Sequence, residues 1–277
     1  IVDECHRGYV LDRELSEDEI GFRDEADYIS KYRRVLDHFD AVKVGLTATP
    51  ALHTVEIFGA PIATYSYRDA VINGHLIDHE PPLALKTQNS EDGLTWNAGE
   101  EMVLIDRSTG TLNTVTLPDE VKLDVDTFNR RVITESFNRV VCEWLATHLD
   151  PNLEEKTIIF CVTDAHADMV VEQLKKAFDT AYGGIDDELV KKVTGRSDGP
   201  KALIRRFKNE RDPNVAVTVD LLSTGVDVPK VCNIVFLRRI KSRSLYDQMM
   251  GRATRPCNEI GKTVFRIYDA VDLYRDL

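Results

Sequence analysis

No run in the sequence approaches the ~18 consecutive apolar residues that a membrane-spanning helix needs, so no membrane partner is expected. No C-x-x-C pair occurs either. The five cysteines, Cys5, Cys142, Cys161, Cys232 and Cys257, are scattered, and Cys5, Cys161 and Cys232 sit in or beside apolar runs that read as strands. This spacing argues against a zinc or disulfide framework and predicts buried thiols in a reduced, cytoplasmic setting. A leader peptide is missing, and the chain opens on Ile rather than Met, which predicts an internal segment of a longer protein. Net positive charge is missing too. The formal charge is −12, so bulk electrostatics alone do not point to nucleic acid.

That charge is unevenly placed. Residues 1–130 carry 12 Lys/Arg against 25 Asp/Glu, whereas 131–277 carry 23 against 22. Two basic stretches stand out in the second part, KALIRRFKNER (201–211) and RRIKSR (238–243). Each could face a phosphate backbone or be an ordinary solvated helix face. With 277 residues and 43% hydrophobic content the chain has room for one large domain or two ordinary ones.

The acidic stretch 11–40 is helix-compatible, with Ser16 and Glu19 as a candidate capping box. AVKVGLTATP (41–50) reads as a buried strand stopped by Pro50, and Asn73-Gly74 as a turn. From Pro81 to about Val125, short alternating runs predict a linker with a small β-rich insertion that includes a hairpin turning at Ser108–Gly110. After residue 127 helical and strand patterns alternate. Helices run through FNRVVCEWLATHL, AHADMVVEQLKKAF, PKALIRRFKN and SLYDQMMGRAT; strands run through TIIFCVT, KKVTG, VAVTV, CNIVFL and TVFRIYD. Strands separated by helices predict an α/β fold, a parallel sheet with helices on both faces and function at the strands' carboxyl ends.

Four short stretches could carry chemistry there. Asp3-Glu4 follows a strand-like Ile1-Val2, an arrangement that can hold Mg²⁺ through water and orient an attacking water. Thr47 and Thr49 in GLTATP can relay hydrogen bonds or cap a turn. In TVDLLSTGVDVP, Gly225 admits close backbone approach, Ser223 and Thr224 can meet phosphate oxygens, and Asp227 can accept from a ribose hydroxyl or an arginine. In QMMGRATRP, Arg252 and Arg255 are three apart, so a helix would put them on one face with Gln248 on the same side. Two such guanidiniums can clamp a γ-phosphate. Gly261-Lys262-Thr263 mimics the end of a P-loop. However, Pro256 stands where the leading Gly is required, and the triplet precedes a strand rather than a helix, so it reads as a turn.

In order and spacing, DECH, TAT, STGVD and QMMGRATRP resemble motifs II, III, V and VI of superfamily 2 helicase-type motors, with TIIFCVTDAHADMV at the place of motif IV. The intervening text, including EIFGAPIATYSYRDAVINGHLIDHEPP and RRFKNERDPNVAVTVDLLSTGVDVP, is similar to the R (motor and nuclease) subunit of type I restriction enzymes across essentially the whole chain. The resemblance implies RecA-like lobes: residues 1–75 as the end of a first lobe, 76–128 as linker and insertion, and 129–277 as a second lobe. It implies ATP and Mg²⁺ as cofactors, double-stranded DNA as substrate, and specificity and methyltransferase subunits as partners. Asp3 would hold Mg²⁺ through water, Glu4 position the water and His6 couple the site to the second lobe. Thr47, Thr49 and Gln248 would relay hydrolysis; Arg252 and Arg255 would reach the phosphates; Gly225 and Asp227 would sense nucleotide. Thr163, Ser223 and Thr224 would touch the DNA backbone. The family's endonuclease domain and P-loop belong before Ile1, so the first lobe is expected to be incomplete and the chain by itself inactive. A strand-separating repair or remodelling helicase and a non-catalytic binding module remain alternative expectations.

Overall fold

The computed structural model describes residues 1–3, 5, 35–48, 52–85, 94–96, 101–105, 112–116, 121–123, 135–220, 226–240, 243–271 and 273. Its centre is one six-stranded, all-parallel sheet. In chain order the strands are β1 (Leu83–Ala84), β6 (Lys156–Phe160), β7 (Val190–Lys192), β8 (Val215–Thr218), β9 (Val231–Phe236) and β10 (Arg266–Asp269). Their spatial order is β1-β10-β9-β6-β8-β7, so β6 is central, flanked by β9 and β8, and β1 and β7 are the edges.

Strands buried on both faces read as apolar runs rather than alternations, and every residue of β6, β8 and β9 is buried. The pleat divides them. Ile159, Val215, Val217 and Val235 face helices α3 (Glu135–His148) and α4 (Asp164–Tyr182), where Val141, Leu145, Val170, Leu174 and Phe178 supply the apolar stripe. Ile158, Phe160, Ile234 and Phe236 face the other way, onto Phe207 of α5 (Pro200–Asn209) and Met249 of α6 (Arg243–Met250). Phe160 stacks on Phe236 at 5.9 Å between centroids, and Phe236 on Tyr246 at 5.7 Å. Full burial of one such ring contributes about 1.5–3 kcal/mol.

Local signals set the helix ends. Thr163 caps α4 by accepting from His166 N at 3.1 Å, and Gly183 ends it at φ 73°; Pro200 opens α5. The expected helix through Thr254 stops earlier, at Met250. Beyond Gly251, Arg252 N and Ala253 N bond three residues back rather than four, to Met249 O and Met250 O. The tightened turns and Pro256 end the helix.

The segment before the sheet is joined to it. A capping box between Ser66 and Asp69 starts helix α2 (Tyr67–Ile72), and Asn73-Gly74 forms the expected turn. Ile77 N then donates to Thr254 O at 2.7 Å, Glu80 N to Phe265 O at 3.0 Å and Leu85 N to Asp269 O at 3.0 Å. Residues 77–85 thus line the sheet's edge. The β-rich insertion is two nested antiparallel pairs, β2 (Leu94–Trp96) with β5 (Val121–Leu123) and β3 (Glu101–Ile105) with β4 (Leu112–Thr116). The β3–β4 register brackets the expected hairpin, whose turn at 108–110 lies outside the described residues, as does the Ser16–Glu19 capping box.

Of residues 1–58, the described parts form a small parallel contact. Val2 N donates to Val44 O and Leu46 N to Val2 O, both at 2.8 Å, and Cys5 N to Leu46 O at 3.0 Å. A Cβ on Gly45 would lie 2.9 Å from Cys5 Sγ and from the Phe58 ring, so only Gly lets helix α1 (Leu52–Phe58) pack this closely.

Candidate functional site

Side chains gather at the carboxyl edge of the sheet, beyond β7, β6, β8 and β9. After β6 and β7, Lys192 Nζ contacts Asp164 at 2.8 Å and Asp168 at 2.7 Å, and Thr194 Oγ1 donates to Asp164. Burial pushes the Asp164 carboxyl upward, but the bonds from Lys192 and Thr194 outweigh it and hold it below the ordinary range. After β8 and β9, Arg238, 8% exposed, donates to Asp220 Oδ1 at 2.9 Å and to Val219 O at 3.3 Å. This pair braces the strand ends from which residues 221–225 depart.

The strongest constellation lies on the other, amino side of the sheet, contrary to the expected carboxyl ends: Lys230 O, in the loop that enters β9, accepts from Lys156 N at the start of β6. Asp227 Oδ2 lies 2.9 Å from Arg255 Nη1 and 4.0 Å from Lys208 Nζ. Asp227 Oδ1 is buried and has no hydrogen-bond partner among the described residues. Arg252 Nη1 donates to Val226 O at 2.8 Å, and its Nε to Gln248 O at 3.2 Å. Both arginines therefore reach from the loop after α6 to the loop before β9. They do so from a turn, not from a shared helix face as the spacing suggested, because α6 ends before either. Gln248 does sit one turn before Arg252, but the contact uses its backbone oxygen.

The loops are also tied from beneath. Lys262, 6% exposed, donates from Nζ to Pro229 O at 2.9 Å and to Ala253 O at 2.8 Å. Burial brings its pKa down to about 8. Lys156 is a chemical counterpart on the neighbouring strand: 2% exposed, it donates from Nζ to Glu210 O, Arg211 O and Pro213 O, and burial lowers it to about 8. Gly261 has φ 66°, so Gly261-Lys262-Thr263 does form a turn.

The expected site residues fall into four sets. Asp227, Gln248, Arg252 and Arg255 come together. Asp3 and Thr47 follow Val2 and Gly45, which form an isolated parallel bridge rather than the expected buried strand. Thr163 follows β6, where its oxygen is used by the α4 cap. Glu4, His6, Thr49, Ser223, Thr224 and Gly225 lie outside the described residues. Lys262 and the Arg238–Asp220 pair were not singled out as site residues by sequence. A lysine inside a turn between two apolar stretches was the available signal for the first. For the second there was only an arginine at a strand end.

The basic stretches divide. In α5, Arg206 is engaged by Glu188 and Glu210, while Lys201 and Arg205 are exposed. In the second stretch, Arg238 turns inward. The five cysteines are all buried free thiols, and burial pushes Cys142 and Cys232 up to about 12. No helix among the described residues is long and apolar enough to cross a membrane.

A parallel sheet with helices on both faces, with Arg252 and Arg255 converging on the loop that enters β9, is the architecture of a RecA-like lobe of the superfamily 2 helicase class. The family described as helicase conserved C-terminal domain matches residues 138–257. Over its whole length the chain is 52% identical to the EcoKI type I restriction enzyme endonuclease subunit of Escherichia coli K12 and 29% identical to the EcoAI endonuclease subunit of E. coli. The chain is a superfamily 2 helicase segment of HsdR type. It spans 24% of the EcoKI subunit's length and 32% of the EcoAI subunit's. Two solved structures share the fold. A fragment from Vibrio vulnificus YJ016, assigned as an HsdR subunit of a type I restriction enzyme, has a TM-score of 0.63 and 24% identity over 89% of this chain and 43% of that one. The DNA-bound Type ISP restriction-modification enzyme LlaBIII has a TM-score of 0.57 and 17% identity, over 96% of this chain and 17% of that one.

Proposed function

We propose that this segment serves an ATP-dependent translocase of double-stranded DNA in the motor subunit of a type I restriction enzyme. It works in the cytoplasm alongside specificity and methyltransferase subunits. The observation that carries the proposal is the convergence of Asp227, Arg252 and Arg255 between the loop that enters β9 and the turn that follows α6. Arg255 is 55% exposed and held only by a half-exposed carboxylate. Such a pair is worth ~0–1 kcal/mol, so a polyphosphate can take the guanidinium at little cost. Arg252 is oriented by two carbonyl oxygens and gives the turn a fixed direction.

Asp3 fits a Mg²⁺ role. That ion is usually held by one or two carboxylates, waters and the substrate's own phosphates rather than by a protein cage, and Asp3 is an acid directly after Val2, which is bridged in parallel to Gly45. When bound, Mg²⁺ neutralises charge on the β- and γ-phosphates. Glu4 positions the hydrolytic water, His6, Thr47, Thr49 and Gln248 couple turnover to DNA, and Gly225 and Asp227 meet the nucleotide's edge. Thr163, Ser223 and Thr224 meet the DNA backbone, where contacts position the duplex without reading sequence.

The test uses the full-length enzyme. Arg255→Ala should lower kcat for DNA-stimulated ATP hydrolysis ~100-fold or more while ATP binding weakens less than ~5-fold, the pattern of an interaction made in the transition state. Equal losses would refute the role. Displacement of a third strand from a triplex without duplex unwinding supports translocation, and unwinding supports a strand-separating helicase.

A further inference from the structure

The Gly261-Lys262-Thr263 triplet has no phosphate to bind where it stands, yet its lysine is buried and fully committed. Lys262 Nζ spans from Pro229 O, two residues past Asp227, to Ala253 O, next to Arg252. Its backbone N donates to Cys257 O at 3.0 Å, closing the turn 257–262 that follows Arg255 and Pro256. The Arg255–Asp227 pair across the same gap is half-exposed, and Arg252 Nη1 donates there to Val226 O. Ala253 is fully buried, so water cannot readily replace the ammonium at its carbonyl. Removing the donor would leave that carbonyl unpaired, and the cost is relieved most easily by the loops moving apart.

We propose that Lys262 is a positioning residue: it sets the separation and register of the loop carrying Asp227 and the loop carrying Arg252 and Arg255. Its effect on turnover passes through those arginines. A misplacement of about 1 Å in a transition-state group can cost ~100-fold in rate, whereas binding of ATP, spread over many contacts, is far less sensitive. This inference rests on the arginine role proposed above.

A core substitution on the other face of the sheet supplies the control. Leu174 of α4 is fully buried beside Val141, Leu145 and Val170, across the sheet from Met249 and Ala253. Lys262→Met, Leu174→Ala and Arg255→Ala would be compared in the full-length enzyme, below the unfolding midpoint of all three, for kcat and KM of DNA-stimulated ATP hydrolysis. Lys262→Met is expected to lower kcat at least 10-fold with KM changed less than threefold, and Leu174→Ala to leave kcat within twofold despite a comparable drop in unfolding midpoint. If Lys262→Met and Leu174→Ala change kcat alike while Arg255→Ala abolishes turnover, Lys262 is merely structural and the inference is overturned alone. If Arg255→Ala retains turnover, the arginine role and this inference fall together. Should Lys262→Met not fold, Lys262→Arg carries the test. Its planar fork keeps charge and N–H donors but cannot reproduce both contacts, so kcat should fall threefold or more at a near-native midpoint. An unchanged kcat would overturn the inference.

Discussion

Lowering the pH from 7 to 5 should destabilise the second lobe through one residue, His166. Its side chain is fully buried. Nδ1 lies 3.3 Å from Val162 N, which can only donate, so Nδ1 accepts; Nε2, 2.9 Å from Asn138 Oδ1, therefore carries the proton. The bond accepted from Val162 N requires the neutral ring, and burial depresses its pKa from 6.5 to about 3. Between those values the unfolded chain binds a proton that the folded chain refuses, so stability rises with pH through this window and levels off above about 6.5. The slope approaches ~1.4 kcal/mol per pH unit, which predicts a loss of about 2 kcal/mol between pH 7 and pH 5. Carboxylates such as Asp164 and Glu188, whose pKa values are lowered, add their own losses only at more acidic pH. Urea unfolding at pH 5, 6 and 7, followed by far-ultraviolet circular dichroism, measures this directly. Trp144 fluorescence is a poorer probe, because His148 lies against its ring at 4.7 Å and is itself a local quencher of that ring. A midpoint independent of pH over this range, or a pH dependence that survives in His166→Gln, would refute the assignment.

Gly45→Ala should cost about 1–3 kcal/mol as the added methyl is forced against Cys5 and Phe58; the amide of Leu46, bonded to Val2 O, should then exchange ~5–100-fold faster. Unchanged protection would mean that the neighbours shift freely. In the unmodified chain, the amides of Val2, Cys5 and Leu46 should already exchange much faster than those of Ile158, Val217 and Val235. Val42 and Leu46 are 90% and 52% exposed, whereas the latter three are buried. Equal protection would show that the first segment is as well packed as the sheet.

The second lobe was legible because its local signals agree. Apolar runs of strand length, helices with clear apolar stripes and capping residues such as Thr163 and Gly183 all specify the same parallel sheet. Helix α6 was the exception. QMMGRATRP keeps helical composition through Thr254, but the tight turns after Gly251 are decided by contacts with Val226 and Pro229 that no local pattern encodes. The site was legible as a set of residue types in order, and the grouping of Asp227, Arg252 and Arg255 follows from it. What sequence could not supply was mutual engagement: which arginine pairs with Asp227, that Gln248 contributes its backbone oxygen, and that Lys262 ties the loops. Such bonds join residues up to 33 positions apart, where sequence spacing carries no geometric information.

The strip of backbone from Ile77 to Leu85 fixes where this chain can bend. Because it is bonded to Thr254, Phe265 and Asp269, it must travel with the lobe that holds the arginines. Tyr67 extends that unit, since its hydroxyl donates to Ile77 O at 2.8 Å. Any rotation of the first segment against the second is therefore absorbed between Gly59 and Tyr65, seven exposed residues including Gly59 at φ 79° and Pro61. The hinge is short and its far anchor is bonded one residue from Arg255. A swing about it would pull on the arginine loop itself, so that the segment Ile77–Leu85 would act as a lever linking movement of the first segment to the turn that carries Arg252 and Arg255.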